Sequence, residues 1–319
     1  MKRGEDRGET SFVAPGEVCY TFIELLKIME VFSPYAIGCV STSHSGRPDR
    51  RIMAKYWLII KLVWIEKMTY RVNFCLEIVS SVVSSVILVF LWLAIYRSSS
   101  STAIGGYSVA DMITYVLVGG VINNFLLTAA GNTEMSQSIR DGTLSSVLLK
   151  PLSPHGLWLF RDIGDKSFLS LMGLIGYAAV FMFFGGYLLL PAGLAHFLVF
   201  LCSVALAGLL QFLLFEALSL LAFWIENTAG INFTTRVVME VLGGAIIPLS
   251  LFPAFVEKIF LLLPFPFLVY FPMRVYLGKI DLSVMALELG KEAVWIAGLG
   301  VLNLAMWKRG IREYVSVGD

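Results

Sequence analysis

The chain has 319 residues, 57% of them hydrophobic and 15% charged, with a formal net charge of +1 and a mean hydropathy of +0.79. A soluble domain carries about 25% charged residues, so this balance is that of a polytopic membrane protein. A net charge near zero argues against nucleic acid as a partner, which would need a clustered basic surface.

In chain order, residues 1–52 differ in character from the rest of the chain. MKRGEDRGET is polar with both charge signs, unlike the short basic start of a signal peptide. The apolar portion is interrupted by Pro34 and by Glu24, Lys27 and Glu30, charges that recur every third residue, as in an amphipathic surface helix. The other reading is that translation begins at Met53. Neither reading gives the leader a function.

A helix crossing the hydrocarbon core needs about 20 mostly apolar residues. Six segments meet or approach this, at roughly 73–96, 110–131, 167–190, 194–224, 232–252 and 286–307. The fourth is too long for one straight crossing, so its last turns extend beyond the bilayer. The sixth carries Glu288, Lys291 and Glu292 in its first turns, on one face and able to pair. Residues 259–278, IFLLLPFPFLVYFPMRVYLG, are apolar enough to span but hold Pro264, Pro266 and Pro272. Each proline removes a backbone donor, and lipid does not tolerate unsatisfied backbone. This segment reads as a re-entrant or interfacial hairpin between the fifth and sixth spans.

Lysine and arginine in the loops give the orientation. Lys55, Lys61, Lys67 and Arg71 precede the first span, and Arg140, Lys150, Arg161 and Lys166 lie between the second and third. Arg236 marks the fourth connection, and Lys308, Arg309 and Arg312 follow the last span. The alternation puts both termini in the cytoplasm of a cell-membrane protein. Lys258, Arg274 and Lys279 dissent from the outer side.

Between the second and third spans lies SIRDGTLSSVLLKP, residues 138–151. Glu134 to Arg140 can form a short helix, and Asp141-Gly142 is a turn signal because glycine takes the positive φ that ends a helix. Thr143 can cap a second helix with Leu144, Val147 and Leu148 on one face, ended by Pro151 and Pro154. Two short, partly apolar helices suit docking into another protein's groove, or lying on the lipid headgroups. Glu216, Arg236 and Glu240 lie deeper within spans. Arg236 and Glu240, four apart, can neutralise each other, a reading preferred to a direct transport role. Glu216 has no partner in its own span, so it either reaches Arg236 or faces a pathway. Asn123 and Asn124 are read as interhelical hydrogen-bonding groups.

The segment IRDGTLSSVLLKPLSPHGLWLFRDIG resembles the I-R-x-G-x-L-x-x-x-L-L-x-P cytoplasmic loop of ABC-2-type transporter permeases. GGAIIPLSLFP, residues 243–253, is similar to that family's proline-bearing fifth span, and WKRGIREY, residues 307–314, to its tail. The resemblance covers roughly residues 53 to 318. It implies an all-α membrane protein with six transmembrane helices in the domain 73–319, preceded by a cytoplasmic lead-in helix at 53–72. The four charges Lys55, Lys61, Glu66 and Lys67 of that helix do not fall on one clean face. The resemblance also implies a coupling helix between the second and third spans, with Ile139, Arg140, Asp141, Gly142, Leu144, Val147, Leu148 and Pro151 touching a separate ATP-binding subunit. A re-entrant outer hairpin would lie between the fifth and sixth spans, and a second permease, identical or a sister chain, would complete the path in the lipid bilayer. Because the resemblance starts near Met53, it favours translation from that residue.

No phosphate loop GxxxxGK[ST], HExxH or GxSxG occurs, and the four cysteines show no metal-ligand spacing. The expectation is a transport subunit without a nucleotide site or cofactor of its own. The alternative is an ion-coupled secondary transporter, which would predict internal repeats and broken spans meeting at the midplane. An integral membrane enzyme would need clustered polar side chains at one membrane face.

Overall fold

The computed structural model describes residues 50–99, 102–126, 130–150 and 152–314. Nearly all of the leader, and Pro151 of the loop, lie outside the described residues.

Helix α1 (Arg50–Thr69) is separated from α2 (Arg71–Ser98) by Tyr70, whose φ of −96° and ψ of 57° leave the helical region. At 1.5 Å per residue, the 28 residues of α2 reach about 42 Å. A hairpin of β1 (Ala103–Ile104) and β2 (Tyr107–Ser108) leads into α3 (Val109–Leu126). The start of α3 is fixed reciprocally: the Ser108 N–H donates to Asp111 Oδ2 at 2.9 Å, and the Asp111 N–H returns to Ser108 Oγ at 3.2 Å.

Two short helices come next, α4 (Ala130–Arg140) and α5 (Leu144–Leu148), and then the 30-residue α6 (Pro154–Phe183). Here the structure corrects the sequence reading. Pro154, read as ending the second loop helix, lies six residues past the end of α5 and opens α6, where its missing N–H is no loss; the third span, read from residue 167, belongs to a helix that starts there. Ser153 Oγ caps the helix by accepting from the Gly156 N–H at 3.2 Å. Arg161 and Lys166, read as loop charges, therefore lie within α6.

Helix α7 (Leu194–Leu220) continues into a tight turn at Leu221–Phe223. Helix α8 (Ala229–Leu242) is the second departure. Its 14 residues reach about 21 Å, short of a hydrocarbon core of about 30 Å, whereas the sequence reads 232–252 as one span. The Gly243-Gly244 pair stops it. Gly244 has φ +73°, and its carbonyl accepts from the Tyr115 hydroxyl at 2.6 Å. The Gly243 carbonyl accepts from the Tyr270 N–H at 3.0 Å. GGAIIPLSLFP is thus a link without α-helix, holding one tight 3-10 turn at Leu249–Leu251 and stitched to its neighbours.

The proline-bearing segment is not continuous helix either. It contains the end of α9 (Ala254–Phe260), a tight turn at Phe265–Phe267, and α10 (Tyr270–Tyr276) buried against α7. Helix α11 (Leu282–Glu313) closes the described chain; its 32 residues reach about 48 Å.

Val72–Ser98, Pro154–Phe183 and Leu194–Phe223 are long and apolar enough to cross a bilayer, and Val109–Asn124 is a shorter apolar helix. The protein is a helical integral membrane protein. Helix α6 packs against α1, α2, α3 and α4, while α7 packs against α10, α11 and α4. A large apolar core joins α2, α3, α7, α10 and α11. A smaller one, of Met135, Ile139, Leu144, Trp158, Leu159, Phe212, Leu220, Ala222 and Trp307, sits at one end of the bundle.

Of the three charges read at the start of the sixth span, only two pair among the described residues: Lys291 Nζ lies 2.8 Å from Glu288 Oε1. Glu292 turns inward instead. It is 0% exposed, with neither carboxylate oxygen hydrogen-bonded among the described residues. Two of the cations that dissent from the orientation read in the sequence are held within the protein. Lys279 Nζ meets Asp111 Oδ2 at 2.9 Å, and Arg274 lies 5.3 Å from the Tyr270 ring.

Candidate functional site: a braced knuckle at one end of the bundle

Helices α4 and α5 form a helix–turn–helix unit, here called the knuckle. Asp141 closes α4 by donating its N–H to the Gln137 carbonyl at 2.8 Å, and Gly142 makes the reversal at φ +70°. No Cβ-bearing residue takes that conformation cheaply, which is why the Asp-Gly pair marks the corner. Thr143 does not cap α5 with its side chain, contrary to expectation: its backbone is already helical. The side chain of Ser146 instead turns back to the Thr143 carbonyl at 2.8 Å.

Of the eight loop residues named from sequence, the seven that are described divide by direction. Ile139 and Leu144 are buried in the small apolar core, and Gly142 is buried beneath them. Val147 is half-buried. Asp141 is exposed; Leu148 is 43% exposed and its neighbour Leu149 87%. Arg140 is exposed but engaged, with Nη1 donating to the Glu226 carbonyl at 3.1 Å. The inward residues root the knuckle. The leucines at its tip are left for something else.

Sequence reasoning missed the brace. The Tyr314 hydroxyl donates to the Gly142 carbonyl at 2.5 Å and accepts from the Ser145 N–H at 3.2 Å, so the end of α11 pins the turn. Two of the three family-like motifs, 138–151 and 307–314, therefore meet in space. Only their co-occurrence in one pattern could have hinted at this.

Glu216 also finds unexpected partners. It is 2% exposed, and its Oε1 lies 2.5 Å from His155 Nδ1 at the start of α6. Its Oε2 accepts from Asn303 Nδ2 of α11 at 2.9 Å. It does not reach Arg236. Arg236 lies over the Phe215 ring at 5.7 Å and makes no ion pair with Glu240 among the described residues. The four-residue spacing put the two on one face of α8, but the guanidinium is drawn to the neighbouring helix.

A charge network spreads from the knuckle along α6. Arg161 bridges Glu134 of α4 at 2.5 Å and Glu66 of α1 at 3.2 Å. Burial pushes the Glu134 carboxyl above its ordinary value, while Arg161 pulls it back. Lys67 of α1 meets Asp165 at 3.2 Å. Lys166, fully enclosed, pairs with Asp162 at 2.5 Å, donates to the Gly208 carbonyl of α7 at 3.1 Å and contacts the Gln211 amide oxygen. This explains the untidy charge pattern of α1. Tyr56, Ile59, Val63, Trp64 and Lys67 face α6, so Lys67 lies on the packed side, and Glu66 reaches round to Arg161. Trp57, Leu58, Leu62 and Ile65 face outward.

Among the described residues no group of three or more His, Cys, Asp or Glu could hold a metal. Apolar helices able to cross a membrane, with a polar-braced helical knuckle at one end of the bundle, define an integral membrane protein. The chain belongs to the ABC-2 family of transporter proteins, whose sequence profile matches residues 63–318. No curated protein matches the chain.

Proposed function

We propose that the chain is the membrane-spanning permease subunit of an ATP-binding cassette export system in the cell membrane. A separate ATP-binding subunit drives it, and a second permease copy or sister chain completes the path. In this reading the chain crosses six times: by α2, α3, α6, α7, α8 with the link that follows it, and α11. Both termini and the knuckle are cytoplasmic, and the α9–α10 segment is the outer re-entrant hairpin. The permease itself hydrolyses no nucleotide.

One observation carries the reading: in a chain of this family, the knuckle has a buried, tightly braced root and an exposed leucine tip. A partner that binds two states of the path equally shifts nothing, so the tip must make contacts that differ between states. Coupling free energies are about 1–3 kcal/mol, within reach of two desolvated leucines.

The test is ATPase stimulation in the reconstituted complex. Leu148→Asp is expected to abolish permease-dependent stimulation while membrane insertion and monodispersity are retained. Normal stimulation by a correctly folded Leu148→Asp permease would remove the knuckle from the contact.

A further inference from the structure

The last helix reaches both the knuckle and the start of α6. Tyr314 grips the turn at Gly142 and Ser145. Where the knuckle hands over to α6, His155 is held by Glu216, and Glu216 by Asn303. The Trp307 ring packs edge-on to His155 at 4.9 Å and to Trp158 at 6.2 Å. Asn303, Trp307 and Tyr314 are spaced by four and seven residues, which places them in one stripe along α11. Asn303 Nδ2 also donates to the Leu213 carbonyl at 3.0 Å, so this stripe is keyed to α7 as well.

We propose that Tyr314, just past the end of α11, is a positioning residue that locks this last helix to the knuckle, making α11 the arm through which knuckle movement reaches the bundle, where Asn303 and Glu216 key it to α7 and α6. This rests on the knuckle being the contact for the ATP-binding subunit. The argument is one of relative cost. A knuckle that shifted alone would break both Tyr314 bonds and leave the buried Gly142 carbonyl and the Ser145 N–H without them. Losing the partner of a buried polar group is costly. Carrying the end of α11 along preserves both bonds, and α11 is a single uninterrupted helix that passes the displacement along its length. The proline- and glycine-broken α8–α10 stretch cannot do so.

The experiment places spin labels on the full permease reconstituted with its ATP-binding subunit, with the native cysteines replaced. One sample carries Lys150→Cys on the knuckle, the other Arg309→Cys on α11. Label-to-label distances between the two copies are measured without nucleotide and with ATP trapped by vanadate. In otherwise unaltered protein both distances are expected to shift. In Tyr314→Phe, which removes only a hydroxyl, the knuckle shift persists while the α11 shift falls by half or more. An α11 shift of full size in Tyr314→Phe overturns the proposal. If the knuckle itself does not shift in unaltered protein, the reading of it as the ATPase contact fails, and this proposal falls with it.

Discussion

Gly142 sets the geometry of the knuckle by itself, because its φ of +70° turns the chain between a buried root and an exposed tip. Alanine there should cost about 1–2 kcal/mol through left-handed backbone strain. The expected readout is faster amide exchange over 141–148, with exchange in α7 unchanged. Glu292 predicts the opposite sign. Its carboxyl is buried without a hydrogen bond, and an unpartnered buried polar group costs roughly 1–3 kcal/mol. Glu292→Met should therefore raise the midpoint of thermal unfolding in detergent; a fall would show that the carboxyl has a partner in the assembled protein. At this scale the sequence is informative only where the signal is local. Asp141-Gly142 was readable because a turn needs nothing beyond its own residues. The partners of Glu216 were not, since His155 and Asn303 lie 61 and 87 residues away.

Among the elements, α6 is where long-range contacts override local reading. Arg161, Asp162, Asp165 and Lys166 look like a solvated loop between spans, yet they occupy the early turns of a 30-residue helix. The helix continues through them because α1, α4 and α7 each bring a counter-charge or an acceptor. Those acceptors define a test. Lys166→Met leaves Asp162 buried and unpaired and should destabilise by about 3–5 kcal/mol. The double substitution Asp162→Asn with Lys166→Met should recover much of that loss, as followed by thermal unfolding of the purified permease. The apolar crossing segments were legible from length and composition alone. The stop at Leu242 was not, although Gly243-Gly244 and Pro248 stand in the sequence: an apolar run conceals the break until Tyr115 and Tyr270 are seen to hold its carbonyls.

For the whole molecule, the overall class follows from composition and the family from the order of three motifs, but the proposed pairing with a second permease depends on surfaces no single chain completes. Helix α8 packs lightly on α7 and presents Phe233, Val237 and Val241 outward on one face. If a second permease covers that face, Val237→Cys in a background without other cysteines should give a covalent dimer on mild oxidation. The crosslink should be absent for Val294→Cys on exposed α11 surface; equal crosslinking at both positions would point to random collision in the membrane. The aromatic nest beneath the knuckle offers something further. Trp158 and Trp307 stand 6.2 Å apart with their planes at 65°. Indoles this close mix their electronic transitions, so the near-ultraviolet circular dichroism of the unlabelled protein should carry a couplet from this pair. Turning the last helix relative to the one after the knuckle would change its amplitude, giving a built-in optical gauge of the engine stroke.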